Sequence, residues 1–372
     1  MAMLLGLALA ALSLRAAPQT ISTCPDPAPV ARLTGVHDIV ATASGPARDL
    51  GGVSGMDRRG RRWLLISDDR SERAPARLYE ARIAFRGGTI SAVRLLPPRT
   101  LLDQAGEPFP RPGLGREAVD AEAVRFDPRD GAIVWSSEGD ARDGFPPSLR
   151  RLGRVGGFSH AFALPAGLVE SLKTGPRPNL AFEGLSFTTD GRALWIGLEA
   201  PLKQDGPLAS HEAGALVRLS RLGPGGGLVQ FAYRTDPIGA APTGLRADNG
   251  VSEILALDAE RLLVLERSGV ETSPGRFTYD VRLYVADLRG ATNVASLASL
   301  NGAVFTPVAK ILVFDFHAAG QDRNFEAMAW GPRLGQRART LVLAEDNNFE
   351  GSQTRLVTLR LDTAARTACP AG

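Results

Sequence analysis

One hairpin pattern occurs five times along this chain of 372 residues. Each copy has a short apolar run, a turn, and a second apolar run that ends in polar or acidic residues, as in NLAFEGLSFTTDGRALWIGLEA at 179–200. Matching positions in the first runs are 68, 61, 70 and 73 residues apart, and they are Ser54, Glu122, Glu183, Glu253 and Glu326. Further strand-like runs follow each copy. Four strands in a repeat of this length are typical of a β-propeller blade.

The repeat predicts an all-β fold, a β-propeller with about five four-stranded blades. A single strand-like run follows the fifth copy, QTRLVTLRLD at 353–362, so the fifth blade lacks one strand. We expect GVHDIVATAS at 35–44, which precedes the first copy, to complete that blade and close the ring. A sixth blade within 270–323 is an alternative. A two-sheet sandwich is another, although it does not explain the even spacing.

Both ends of the chain carry signals that are independent of the repeat. Residues 1–18 contain an apolar run followed by small residues, which is typical of a secretory signal peptide and too short to span a membrane. We therefore predict a periplasmic or secreted protein with an N-terminal extension at 19–33, a propeller domain at 34–365 and a tail at 366–372. In an exported protein, Cys24 and Cys369 are expected to form a disulfide, and two unpaired thiols are the alternative.

Composition and motifs exclude several other functions. The formal net charge of +3 is small and spread along the chain, so nothing indicates nucleic-acid binding. No G-x-S-x-G motif of a serine hydrolase is present. The four histidines show no metal-binding spacing, and only His211 and His317 lie near the hairpin ends as candidate acids or bases. We expect a monomer without a stable membrane span.

Acidic or polar residues occupy both open ends of the hairpins. Residues equidistant from a turn face each other across an antiparallel ladder, which pairs Glu183 with Glu199 around the Asp190-Gly191 turn. If the first strands line the propeller axis, these acids form a ring at one mouth of the channel. Calcium, which takes about six to eight oxygen ligands, would offset their repulsion. The predicted ligands are Asp68, Asp69, Glu122, Glu138, Glu199, Glu253, Glu266, Glu345, Asp346 and Asn347.

Alternatives to a metal ion are a proton shared between carboxylates and arginine contacts. A third is a structural role, in which each glutamate caps the backbone of the neighbouring blade. Basic residues also follow three of the second strands, namely Arg70, Lys203 and Arg267. We expect these cations to hold the negative oxygens of a substrate, and Glu183 and Glu326 to act with them in catalysis.

Several segments resemble the phytase-like domain family, which is described by an esterase-like activity of phytase. They include GGVSGMDRRGRRWLLISDDR, DAEAVRFDP, FEGLSFTTDGRALWIGLEAPL and NFEAMAWG with LVLAEDNNF, and the resemblance covers about 34–362. It implies a propeller exported by a bacterium. The β-propeller phytases are similar in architecture and hydrolyse phytate with several calcium ions. Their aspartate-rich signature is not found here, so their functional residues do not transfer at most positions.

The leading hypothesis is an exported, calcium-assisted hydrolase of a small anionic ester, a phosphate or another ester. A metal-dependent lactonase is the second hypothesis, and it requires one tightly bound divalent ion and a narrow, neutral pocket. The third is a non-catalytic periplasmic binding or scaffold propeller, because a fold alone does not determine chemistry.

Overall fold

The structure, a computed structural model, describes residues 29–42, 44–153, 157, 159–239 and 245–362. The predicted signal peptide at 1–18 and both Cys24 and Cys369 lie outside these residues, so export and the disulfide stay predictions. No helix in the described part of the chain is long and apolar enough to cross a bilayer.

The described residues form strands β1 to β21, which are grouped into five antiparallel sheets. The chain starts with β1 (Val30–Val40). Blade 1 contains, from the axis outward, β2 (Val53–Arg59), β3 (Arg62–Ser67), β4 (Arg77–Arg86) and β5 (Thr89–Leu95), and β6 (Arg99–Thr100) pairs with β4. Blade 2 contains β7 (Ala121–Phe126), β8 (Ile133–Ser137), β9 (Ser148–Leu152) and β10 (Ser159–Ala161).

The remaining blades follow the same order. Blade 3 contains β11 (Phe182–Phe187), β12 (Leu194–Leu198), β13 (Leu216–Leu222) and β14 (Leu228–Arg234). Blade 4 contains β15 (Ala247–Ala256), β16 (Arg261–Ser273), β17 (Arg276–Asp287) and β18 (Ala309–Asp315). Blade 5 contains β19 (Phe325–Arg333), β20 (Ala338–Glu345), β21 (Gln353–Asp362) and, outermost, β1. Short 3₁₀ turns occur at Ala166–Leu168 and Pro224–Gly226.

The ring is closed by the N-terminal strand, as the sequence predicts. Strand β1 pairs antiparallel with β21, from Val30 opposite Asp362 to Val40 opposite Gln353. The innermost strands contact one another in the order β2, β7, β11, β15, β19 and again β2. The fold is therefore a five-bladed propeller. The alternative of a sixth blade is wrong, because 270–323 contains the end of β16, then β17 and β18, all in blade 4.

The hydrophobic core lies between neighbouring blades. Trp63, Trp135 and Trp195 occupy the second strands of three blades and are almost wholly buried. Such large side chains bury the facing sheet surfaces and remove apolar area from water. Nearer the axis, neighbouring inner strands approach too closely for a side chain at some positions. A Cβ atom at Gly55 would lie 2.3 Å from the main-chain oxygen of Glu122 on the next blade.

Each inner hairpin contains a β-bulge near its open end. In blade 3, for example, Phe182 pairs with Leu198 and Gly184 with Gly197, so Glu183 is the extra residue. The extra residue is Ser54 in blade 1, Ser252 in blade 4 and Glu326 in blade 5. In blade 2 the register shift falls at Glu122 and Ala123. Because a bulge re-aims a side chain locally, it decides which residue of each hairpin reaches the site described below.

Candidate metal and ester-binding site

Eight carboxyl groups collect at one end of the propeller axis. We call this set the axial acidic cluster, and its members are Asp68, Asp120, Glu122, Glu138, Glu183, Glu199, Glu326 and Asp346. Two kinds of position supply most of them. One is the bulge of a first strand, as at Glu183, and the other is the residue that follows a second strand, as at Glu199.

Six of the eight carboxylates form three overlapping triads. Within each triad the oxygens lie within 4.8 Å of one another, and the triads are Asp120–Glu122–Glu138, Glu122–Glu183–Glu326 and Glu138–Glu183–Glu199. Each pair of triads has one glutamate in common, so Glu122, Glu138 and Glu183 each belong to two. A carboxylate has two oxygens and can serve two neighbouring cations. The arrangement is therefore suited to more than one hard metal ion.

Burial and mutual repulsion raise the pKa of the carboxyl groups in the cluster. Burial, followed by repulsion from Asp120, raises the pKa of Asp68 to about 8. Burial raises the pKa of Glu199 to about 7 against the effect of Arg267, and the pKa of Asp120 to about 6 against that of Arg70. Burial also raises the pKa values of Glu122, Glu138, Glu183, Glu326 and Asp346. Protons or cations are thus needed to neutralise the site.

Two arginines provide part of the compensating charge. Arg267 lies 2.6 Å from Glu199, 3.2 Å from Asp248 and 3.4 Å from Glu326. Burial alone would lower the pKa of Arg267, but Glu199 and Glu326 outweigh it, so the guanidinium stays charged. Arg70 contacts Asp120 at 3.4 Å on the other side of the cluster. Two guanidinium groups do not balance eight carboxylates.

Oxygen atoms without hydrogen bonds support a metal site. Asp68 Oδ1 and Asn324 Oδ1 are buried and accept no hydrogen bond from the described residues. A buried oxygen without a partner is costly, and coordination of a hard cation would satisfy it. Capping explains only part of the cluster. Glu138 accepts a hydrogen bond from the Ala181 N–H of the next blade, and Glu326 accepts one from Asn324 Nδ2 at 3.0 Å. The oxygen donor set therefore fits a hard metal ion.

A cavity of about 720 Å³ opens beside the cluster between blades 4 and 5. Of the six triad carboxylates, Glu326 is the one that lines it, together with Asp346. Three guanidinium groups also line the cavity, those of Arg246, Arg267 and Arg323. Its volume is within the range of small-molecule sites, about 300–1,000 Å³. The cavity therefore gives an organic ligand access to both the acids and the arginines.

Strained backbone surrounds this mouth of the propeller. Arg70, Ser71, Asn179, Asn348 and Phe349 have φ values of 51°, 60°, 54°, 47° and 54°, in the left-handed region that non-glycine residues seldom adopt. Arg70 Nη1 lies 3.5 Å from Asn179 Oδ1, and Asn179 and Asn348 both line the cavity. Such strain persists where the surrounding structure enforces it, often at functional sites.

The structure places Glu253, a predicted metal ligand, one residue beyond the bulge of its hairpin. The bulge in blade 4 is Ser252, and Glu253 pairs in the ladder with Leu265. Its side chain is wholly buried, lies 2.6 Å from Arg125 and accepts a hydrogen bond from Leu185 N at 3.1 Å. Glu253 therefore belongs to a buried ion pair that connects blades 2, 3 and 4, and not to the axial acidic cluster.

Two other predicted ligands lie outside the cluster, because each pairs with the residue before the bulge of its hairpin, Glu266 with Val251 and Glu345 with Phe325. In blade 4, Arg267 occupies the position that Glu199 occupies in blade 3. Glu266 instead lies 2.5 Å from Lys310 Nζ and 2.5 Å from Tyr233 Oη. In blade 5, Asp346 is the residue that follows the second strand and belongs to the cluster. Glu345 is bonded by Arg355 N at 3.1 Å and lies at the cavity wall.

Three further predicted residues have structural partners. Asp69 pairs with Arg77 and accepts hydrogen bonds from backbone N–H groups. Asn347 Oδ1 accepts from Gly52 N at 3.2 Å and braces the loop after β20. Lys203 contacts Glu170 at 2.9 Å in an outer loop, so it does not line the cavity.

Two oxygen donors of the site, Asp120 and Asn324, were not predicted from the sequence, and neither was the supporting residue Arg125. The cavity residues Arg246 and Arg323 were not predicted either. Asp120 lies two residues before Glu122, and the alternation of a strand would have placed both on one face. Asn324 is the corresponding residue of blade 5. Arg125 reaches the main-chain oxygens of Met56 in blade 1 and Ile254 in blade 4, so its guanidinium lies across the axis. No local pattern indicates that role.

Comparisons with known proteins give a family and little else. A family model described as "Phytase-like: Esterase-like activity of phytase" matches residues 48–349. No curated protein matches the chain. Among solved structures, a protein of unknown function from Dyadobacter fermentans DSM 18053 is 13% identical, with a TM-score of 0.37 over 90% of this chain and 99% of that chain.

Proposed function

Because this chain belongs to the phytase-like family, which is described by an esterase-like activity, we propose that it hydrolyses an ester with the help of a metal ion. The observation that carries the proposal is the axial acidic cluster, with its overlapping triads and buried unpartnered oxygens beside a cavity. The all-oxygen donor set favours calcium among biological cations.

Five of the triad carboxylates would hold the ion or ions: Asp120, Glu122, Glu138, Glu183 and Glu199. Bound calcium supplies positive charge that polarises an ester and makes water more acidic. Of the two glutamates predicted to be catalytic, we assign Glu183 to metal binding, since it belongs to two triads and does not line the cavity. Glu326 lines the cavity, and burial raises its pKa toward the range useful for proton transfer.

The cations of the site support an anionic substrate. Arg267 lines the cavity and is already oriented by Glu199 and Glu326, so it can stabilise negative charge on an ester oxygen without reorganising. Arg246 and Arg323 also line the cavity, and their side chains are more exposed than that of Arg267. We propose a similar role for Arg70, which lies beside Asp120. Six carboxyl groups line the cavity beside the three arginines, so an anionic ester would need the metal ion as well as Arg267. The cavity is roomy and charged, whereas a lactone would suit a narrow, neutral pocket.

We further propose that the protein acts outside the cytoplasm as a monomer. Support for export is the apolar N-terminal run. Support for the monomer is the closed ring, in which β1 completes the last blade and no inner strand is left without a neighbour.

Calcium-dependent turnover tests the proposal. Protein dialysed against EDTA is assayed with p-nitrophenyl phosphate, p-nitrophenyl acetate, phytate and a lactone, before and after calcium is added. We expect activity on an anionic ester only with calcium, and at least about a hundredfold loss of kcat in Glu326→Gln, since one positioned acid or base contributes about 10²–10⁴. Glu212→Gln, at an exposed loop residue, is the matched control.

The melting temperature gives a second readout. Calcium at about a hundred times its dissociation constant adds about 2.7 kcal/mol to the free energy of unfolding. Unchanged melting together with no hydrolysis of any substrate would contradict the metal site and the enzyme. A calcium-dependent rise in melting without hydrolysis would favour the binding or scaffold propeller.

A further inference from the structure

Blade 4 has an extension that the other blades lack in the described chain. The other second strands end at the rim of the propeller, at Ser67, Ser137, Leu198 and Glu345. Strand β16 instead continues past Arg267 to Ser273, and β17 returns from Arg276. The paired segment forms one wall of the cavity through Gly275, Phe277 and Tyr279.

The cavity face of this extension is aromatic. Phe277 and Tyr279 are two residues apart in β17, so they point to the same side, while Thr278 points to the opposite side and is exposed. Their ring centroids are 6.2 Å apart with an interplanar angle of 23°. Both rings are only partly buried. Arg246 lies over Phe277, 4.9 Å from the ring centroid, so an aromatic surface and a cation occur together on this wall.

A hydrogen bond joins this wall to the opposite side of the cavity. Asn348 Nδ2 in the loop after β20 donates to Tyr279 Oη at 3.2 Å. The backbone of Asn348 and Phe349 is held at positive φ, and Asn347 Oδ1 accepts from Phe349 N at 3.0 Å. The contact therefore fixes the separation between the aromatic wall and the loop that carries Asp346.

We propose, on the premise of the function proposed above, that the substrate is an anionic ester with a planar aromatic group, and that Phe277 and Tyr279 bind that group. A cavity of about 720 Å³ is far larger than an ester group requires. Aromatic side chains bind flat rings by stacking or edge contacts. Arg246 and Arg323, which are paired with Glu271 and Glu345, line the same cavity beside the anionic part. The hydrogen bond from Asn348 restrains the Tyr279 ring.

Binding of the aromatic ring can be measured separately from ester hydrolysis with two phosphonates that are not hydrolysed. Isothermal titration in calcium compares phenylphosphonate with methylphosphonate, which have the same anionic group. We expect the wild-type protein to bind phenylphosphonate more tightly, by about three- to tenfold per aromatic contact. Phe277→Leu and Tyr279→Ala should reduce that preference toward unity and leave methylphosphonate binding unchanged. Thr278→Val, on the exposed face of β17, is the matched control and should keep the preference.

Kinetics provide an independent readout. With p-nitrophenyl phosphate, Phe277→Leu should raise KM by about three- to tenfold and leave kcat nearly unchanged. The reason is that the contact with the substrate ring is equally strong in the ground state and in the transition state. Equal affinity of the wild type for both phosphonates, no binding of either, or a phenyl preference that survives both substitutions would overturn the aromatic site. A phenyl preference in a protein that hydrolyses no ester would retain the aromatic site and contradict the hydrolase.

Discussion

Arg125 and Glu253 form the most enclosed charge pair near the propeller axis. Their side chains are 3% and 0% exposed, and Arg125 Nη2 lies 2.6 Å from Glu253 Oε2. Burial raises the pKa of Glu253 to about 7, and Arg125 acts in the opposite direction. The position that carries Glu253 in blade 4 is occupied by Gly55, Ala123, Gly184 and Ala327 in the other blades. Four small residues therefore leave the space in which a single carboxylate meets a single guanidinium.

Removal of Arg125 should destabilise the protein without affecting its response to calcium. Arg125→Met leaves Glu253 buried and unpaired, which typically costs about 3–5 kcal/mol of the free energy of unfolding. Equilibrium unfolding in urea measures the loss. The double variant Arg125→Met with Glu253→Leu should recover much of it, because neither partner is then an isolated charge. If Glu253→Gln abolished the calcium-induced rise in melting temperature, Glu253 would be a metal ligand after all.

At the scale of the elements, the hairpins and their order follow from the sequence. Turn residues such as Asp190-Gly191, flanked by alternating apolar residues, define each hairpin locally. The even spacing of the five copies then defines the ring. The strand that closes it could also be predicted, since GVHDIVATAS is the only strand-like run before the first copy.

The β-bulges are what the sequence does not reveal. Symmetry about the turn pairs Glu183 with Glu199, but the extra residue at the bulge places Ala181 opposite Glu199 instead. In blade 4 the run Val-Ser-Glu permits a bulge at Ser252 or at Glu253, and a slip of one residue reverses the side-chain face. Tertiary packing against Arg125 decides between them. For the same reason the cluster could be predicted as a ring of acids, while its individual members could not all be identified.

Because the inner strands pack closely, we expect the addition of a single methyl group to lower the stability of the protein. In Gly55→Ala the new methyl group would lie 2.3 Å from the main-chain oxygen of Glu122, and a backbone atom cannot rotate away. We expect a loss of about 1–3 kcal/mol, as for other overpacked cores. Thermal and urea unfolding measure it. Gly167→Ala is the control, because a Cβ atom there meets no other atom within 4 Å. Equal stability of the two variants would contradict the close approach of β2 and β7.

At the scale of the whole molecule, the propeller concentrates negative charge at one end of its axis. Five strands that converge on an axis bring their open ends together, so each rim carboxylate has several like charges nearby. Arg267 and Arg70 neutralise only part of this charge. The folded state therefore binds protons more strongly than the unfolded chain does, and a divalent cation bound at the cluster would compete with those protons for the same oxygens.

This competition predicts the pH dependence of stability. The carboxyl pKa values are raised on folding, to about 8 for Asp68, about 7 for Glu199 and about 6 for Asp120. Between the unfolded values near pH 4 and the folded values, the folded state binds more protons, so the free energy of unfolding falls as pH rises. We expect the melting temperature in EDTA to fall from pH 5 to pH 8. In calcium it should change much less, because the cation replaces the protons.

Glu183→Gln separates this electrostatic effect from a general loss of stability. Burial and then repulsion from Glu138 raise the pKa of Glu183 well above its ordinary value, so a neutral amide removes one source of repulsion. In EDTA at pH 8 the variant should melt at or above the wild-type temperature, with a shallower decline between pH 5 and pH 8. Its calcium response should be weaker, since two triads lose a ligand. Melting below the wild type in EDTA, with an unchanged calcium response, would mean that Glu183 stabilises the ring as a structural cap and binds no ion.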